Sequence, residues 1–70
     1  MVSADIVLRD GTNRTVESLK IVKKRNLQND FVNEITDFSS FFISPGPYLF
    51  IGDGIVAVDG NDILSVEFTH

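Results

Sequence analysis

Between positions 4 and 9, Ile6 and Leu8 share one parity and Val7 and Arg9 the other, and the run ends at Asp10-Gly11. Alternation that meets Asp-Gly predicts a strand followed by a tight hairpin turn. The return strand, from about Arg14 to Lys23, keeps Leu19 and Ile21 on one face and Lys20 and Val22 on the other. Val16 has the opposite parity to Leu19, which predicts a bulge near Glu17-Ser18.

Residues 26–44 fit two patterns. Leu27, Phe31, Ile35, Phe38 and Phe42 recur at helical spacing, and Asn29 or Asp30 would cap such a helix. Val32, Ile35 and Thr36 are β-branched, however, and Ser39-Ser40 interrupts the stripe. Strand and helix both stay open here, and in either case the phenylalanines are expected in the core. Pro45-Gly46-Pro47 suits a type II turn, with "FFIS" and "YLFI" facing each other across it. Farther on, Leu64, Val66 and Phe68 alternate with Ser65 and Glu67, which predicts one buried and one wet face. The expected strands lie near 4–10, 13–23, 30–43, 47–58 and 62–69. Together they predict an all-β fold with at most one short helix, a small, strongly bent, five-stranded antiparallel open barrel.

Seventy residues make one domain, 1–70, and a chain this short buries only about 60% of its unfolded surface. Without Cys, and with His70 as the only imidazole, neither disulfides nor structural zinc can reinforce it. Oligomerisation remains. Tyr48, Phe50 and the aliphatics of 55–58 and 63–68 supply apolar surface for a contact between identical subunits. No segment has the length of a membrane span or the apolar region of a secretion signal, so a cytoplasmic protein is expected.

Charge is divided unevenly. Arg9, Arg14, Lys20, Lys23, Lys24 and Arg25 are all the basic residues, whereas positions 26–70 hold seven acids and no Lys or Arg. The first half therefore carries the only candidate patch for a polyanion.

Other chemistry fails on spacing. A calcium loop begun at Asp59 would need an oxygen ligand at its fifth position and glycine at its sixth, where Ile63 and Leu64 stand. A looser carboxylate set from Asp53, Asp59 and Asp62 is the remaining metal option. Gly52-Asp53-Gly54 lacks the helix and lysine of a phosphate loop. Ser39, Ser40 and Ser44 have no His near them in sequence, and the one imidazole is the terminal His70, so no enzyme and no cofactor are expected.

Two stretches taken together resemble a known family. "IVLRDGTNRTVESLKIVKKRNL" (6–27) is similar to the first motif of Sm/Lsm-like proteins: an apolar strand, an acid-Gly turn, a long bent strand, then Asn and an aliphatic. "IGDGIVAVDGNDILSVEF" (51–68) is similar to the second, in which a glycine and an aliphatic run lead to a polar corner and a last aliphatic strand. The resemblance implies an Sm-like, SH3-like barrel and a closed ring of identical subunits, with the fourth and fifth strands pairing across neighbours. It also implies that the 22–26 turn and the 59–62 corner meet at a central pore that holds single-stranded RNA or DNA. Lys23, Lys24 and Arg25 would hold phosphate, Asn26 would meet a base edge, and Asp59, Gly60 and Asn61 would form the facing corner. The chain departs from the family at four positions. Asp59 stands in place of an RNA-contacting Arg, Lys24 of a stacking aromatic or His, Val22 of an orienting Asp, and Val16 of a Gly. Among the nucleic-acid-contacting positions, only Asn26 and Gly60 carry over unchanged.

Two functions follow. One is a ring-forming binder of single-stranded nucleic acid, with a role in its processing. The other is an oligomeric structural or protein-interaction module that binds none.

Overall fold

The computed structural model describes residues 1–26 and 28–70. Leu27, the first member of the 27–42 stripe and the aliphatic after Asn26, lies outside the described residues. The described residues form an all-β structure of seven strands: β1 (Ser3–Leu8), β2 (Asn13–Val16), β3 (Ile21–Asn26), β4 (Phe31–Ile35), β5 (Pro47–Ile51), β6 (Ile55–Asp59) and β7 (Ile63–Thr69). Two single 3-10 turns, Phe38–Ser40 and Gly60–Asp62, are the only helical elements among them. No helix is long and apolar enough to cross a membrane. The strands lie in two antiparallel sheets, ordered β2-β1-β7 and β4-β3-β5-β6. The expected five strands are thus divided into seven.

The first hairpin forms where Asp-Gly predicted it. The Asp10 carboxylate accepts the Thr12 N–H at 2.9 Å and its hydroxyl at 2.6 Å. Gly11 takes a φ of +91°, which an L side chain resists.

The expected strand 13–23 breaks at 17–20. Ser18 has a φ of +52°, and the next two N–H groups go in different directions: Leu19 donates to O of Val2, just before β1, at 2.7 Å and Lys20 to O of Ile51, in β5, at 2.8 Å. This corner turns the chain from one sheet to the other. It also rotates the strand, so that Leu19 and Val22 are both buried while Ile21 is only half-buried.

The expected strand 47–58 is two strands. Gly52 N–H reaches Gly54 O at 2.9 Å, and Asp53 N–H reaches Glu17 O at the same distance. A Cβ on Gly52 would stand 2.6 Å from Glu17 O, so a bare α-carbon is what lets this turn press against the 17–20 corner.

Strand 30–43 stops at Ile35. Asp37 then accepts the N–H of Ser39 at 3.2 Å and its hydroxyl at 2.6 Å, starting a 3-10 turn. No helix runs through 28–43, and "FFIS" pairs with no strand; β5 lies between β3 and β6 instead. Of the stripe, Ile35 and Phe38 pack against the core as expected, and Phe41 does the covering that was assigned to Phe42. Phe38 stacks on Phe68 at 5.1 Å, and Phe41 meets Phe68, Tyr48 and Phe50 within 6.0 Å. Phe31 and Phe42 are exposed.

The last strand also departs from simple alternation. Val7 opposes Ser65 but Leu8 opposes Ile63, which leaves Leu64 as the extra residue of a bulge. Ile63 is 1% exposed and Leu64 58%.

The core consists of Ala4, Ile6, Val16, Leu19, Val22, Tyr48, Phe50 and Ile63, with Val56, Val58, Val66 and Phe68 packed against it. Tyr48 and Phe50 are fully enclosed by this one chain, against the expectation of a subunit contact. Ile55, Ala57 and Leu64 are the members of that set left exposed.

Candidate nucleic-acid interface

Strand β3 presents its residues alternately. Lys23 and Arg25 lie opposite Leu49 and Val32 on one face of the sheet, whereas Lys24 lies beside Tyr48 on the other. The three cations therefore do not make one patch.

Lys23 Nζ sits 3.6 Å from Glu34, its cross-strand partner on β4. Arg25 pairs through Nε and Nη2 with Asp30 in the turn after β3. That turn is built by side-chain caps: Asn26 Oδ1 accepts the Gln28 N–H and Asn29 Oδ1 accepts the Phe31 N–H. Lys24 is in no ion pair among the described residues, and its Nζ lies 5.7 Å from the centre of the Tyr48 ring.

Tyr48 joins three segments. Its ring supports Lys24 and lies under Gly60, where a Cβ would approach Tyr48 Cε2 at 2.9 Å. Its hydroxyl accepts the Ser44 N–H at 3.0 Å and donates to Phe42 O at 3.0 Å. The Gly60 N–H in turn donates to Gly46 O at 2.8 Å. The 42–46 arm is thereby fastened between β3 and the 3-10 corner.

These fastenings enclose a hollow of about 330 Å³ lined by Lys24, Arg25, Asn26, Gln28, Pro45, Gly46, Asp59 and Asn61. Of the seven residues assigned from the sequence, five line this hollow. Gly60 forms its supporting corner and Lys23 stands away from it. Asp59 Oδ1 caps the 3-10 turn by accepting the Asn61 N–H at 2.8 Å. Arg9 braces the same corner from behind: its Nε donates to Asn61 O at 3.1 Å and its N–H to Asp62 O at 2.9 Å.

Tyr48, Gly46 and Arg9 were not among the site residues assigned from the sequence. Gly46, at a φ of +125°, had a signal in Pro-Gly-Pro. Arg9 had none, since its partner lies 52 residues away.

A second, larger recess of about 600 Å³ lies on the outer face of β3, β5 and β6, with Leu49, Pro47, Ala57 and Val32 among its lining and Lys23, Arg25 and Asp59 at its border. No group of three or more metal-ligating side chains occurs among the described residues. Asp53, Asp59 and Asp62 do not form one.

Two carboxylates titrate low, both outside the hollow. The Thr12 hydroxyl and N–H hold Asp10 below the ordinary carboxylate value, and the Ser39 hydroxyl and N–H do the same for Asp37.

Compared with models of known families, with characterised proteins and with solved structures, the chain matches none.

Proposed function

We propose that this chain is a divergent Sm-like barrel that assembles with copies of itself and holds single-stranded RNA or DNA at the hollow between β3 and the 59–61 corner. The observation that carries this is the convergence of Lys24, Arg25, Asn26 and Asn61 on one recess, from segments 35 residues apart in sequence. Cationic and amide groups together suit a phosphate and a base edge.

Strand order supports the barrel. If β2 and β3 are counted as one bent strand and β4 as a hairpin arm on its far edge, the remaining order is β7-β1-β2/β3-β5-β6. That is a five-stranded path with a 3-10 corner before the last strand.

The charges limit the affinity. Arg25 is already paired with Asp30, and Asp59 lies in the hollow. Exposed pairs contribute about 0–1 kcal/mol, so a phosphate can displace Asp30. Lys24 carries the largest uncommitted share. Fluorescence anisotropy with labelled oligo(U) and oligo(dT) across a salt series tests this: binding should weaken with salt, and no binding at low salt would exclude it.

A specific observation favours the second function, an interaction module. Strand β6 lies at a sheet edge, reads Ile-Val-Ala-Val-Asp, and lacks the lysine, proline or bulge that protects an edge. Its Ile55 is 67% exposed. A protein strand added there would explain both features without nucleic acid.

A further inference from the structure

We infer that Tyr48 is a positioning residue whose hydroxyl latches the 42–46 arm over the hollow and so sets the shape of the binding site. The inference rests on the hollow being that site, but the latch itself has a readout of its own.

Four features converge on it. The Tyr48 hydroxyl is the only side-chain group bonded to the arm's backbone among the described residues, accepting from Ser44 N and donating to Phe42 O, each at 3.0 Å. The arm belongs to no strand and has no ladder to hold it. It carries Phe42, 82% exposed, which contributes little burial to hold it down. At its far end, Gly46 O accepts the Gly60 N–H, and Pro45 and Gly46 form one wall of the hollow. An arm without ladder hydrogen bonds or buried side chains at its tip owes its position to these few polar contacts. Phe41 anchors its start among Tyr48, Phe50 and Phe68, so the arm would swing beyond that point.

The ring and the hydroxyl have separable roles. The ring fills the core and backs Lys24; the hydroxyl alone reaches the arm. Tyr48→Phe therefore removes the latch and leaves the packing. Ser44→Ala removes only the 3.2 Å contact between hydroxyls and keeps the N–H that Tyr48 accepts, so it is the control that should leave the latch closed.

The experiment is residue-resolved amide hydrogen exchange together with oligo(U) and oligo(dT) binding, on the parent, Tyr48→Phe and Ser44→Ala. In Tyr48→Phe the Ser44 and Gly60 amides should exchange about tenfold faster, the scale of one lost hydrogen bond. Amides in β1 and β3 should keep their protection, and oligonucleotide affinity should fall about tenfold. Ser44→Ala should match the parent in both. Unchanged exchange at Ser44 and Gly60 would overturn the latch. Faster exchange throughout the barrel would make Tyr48 a structural residue only. Local opening with unchanged affinity would overturn its role in the site. A parent that binds neither oligonucleotide would remove the binding function and the site role with it, while the exchange result would still decide the latch.

Discussion

Gly60 lies directly under Ser44, so that a Cβ built on it would overlap the Ser44 carbonyl oxygen and stand 2.9 Å from Tyr48 Cε2. Two backbones meet here because one of them has no side chain. Gly60→Ala must push the arm or the 3-10 corner away, which should cost about 1–3 kcal/mol. Gly54, in contrast, faces open space and has no left-handed φ, so Gly54→Ala should be neutral or stabilising by up to about 1 kcal/mol. Urea denaturation of the two variants measures the difference, and equal midpoints would show that the contact at Gly60 is absent.

Neighbouring aliphatics on β7 should behave oppositely. Ile63→Ala empties a fully buried site and should destabilise by about 2–5 kcal/mol. Leu64→Ala removes an exposed side chain at the bulge and should cost less than about 1 kcal/mol. Strict alternation predicts the reverse, so thermal unfolding of this pair distinguishes the bulged register from an unbroken one.

That pair also shows where sequence reading loses its grip. The first hairpin was legible because Asp10-Gly11 specifies its turn locally; the change of parity at Glu17-Ser18 gave a bulge in one strand, where the chain in fact breaks into two. Leu64 was not, since a bulge is set by how β7 meets β1 some 56 residues earlier. The turn at 52–54 was hidden for a similar reason. Gly52 is needed because Glu17 O presses on it, and nothing near it in sequence says so. Residues 36–44 were read by periodicity, but Asp37 capping Ser39 moved the buried aromatics from Phe42 to Phe41. At the candidate site, the meeting of 24–26 with 59–61 came from the family resemblance. The arm that completes the hollow through Tyr48 lies in the stretch that the resemblance left unmatched.

Acid should loosen two turns before it unfolds the barrel. Asp10 and Asp37 both have folded values below the ordinary carboxylate value, held there first by hydroxyl bonds from Thr12 and Ser39. A depressed carboxylate contributes stability that is complete above its unfolded value, near 3.9, and that is lost as pH falls through the folded value. Stability of the parent should therefore be insensitive to these groups from neutrality down to about pH 5 and decline below about pH 4. Thr12→Val and Ser39→Ala should each raise the titration midpoint of the neighbouring Asp in NMR. An unmoved midpoint would mean that the hydroxyls do not bind those carboxylates in solution.

Self-association is tested at the β6 edge. Ile55→Lys places a charge on an exposed position, where the fold should tolerate it and strand addition should not. Sedimentation velocity should show the parent as an oligomer at micromolar concentration and Ile55→Lys as a smaller species with the same circular dichroism. A parent that is monomeric under those conditions would contradict a ring.

The most direct measurement of the central claim compares oligo(U) and oligo(dT) binding by the parent, Lys24→Ala and Lys23→Ala across a salt series. Lys24 lines the hollow without an ion-pair partner among the described residues, whereas Lys23 faces Glu34 on the outer side of the sheet. The account predicts that Lys24→Ala weakens binding and lowers the log–log salt slope by about 0.7, the loss of one single-strand phosphate contact, while Lys23→Ala leaves both nearly unchanged. Equal effects from the two lysines, or a parent that binds neither oligonucleotide at low salt, would contradict it.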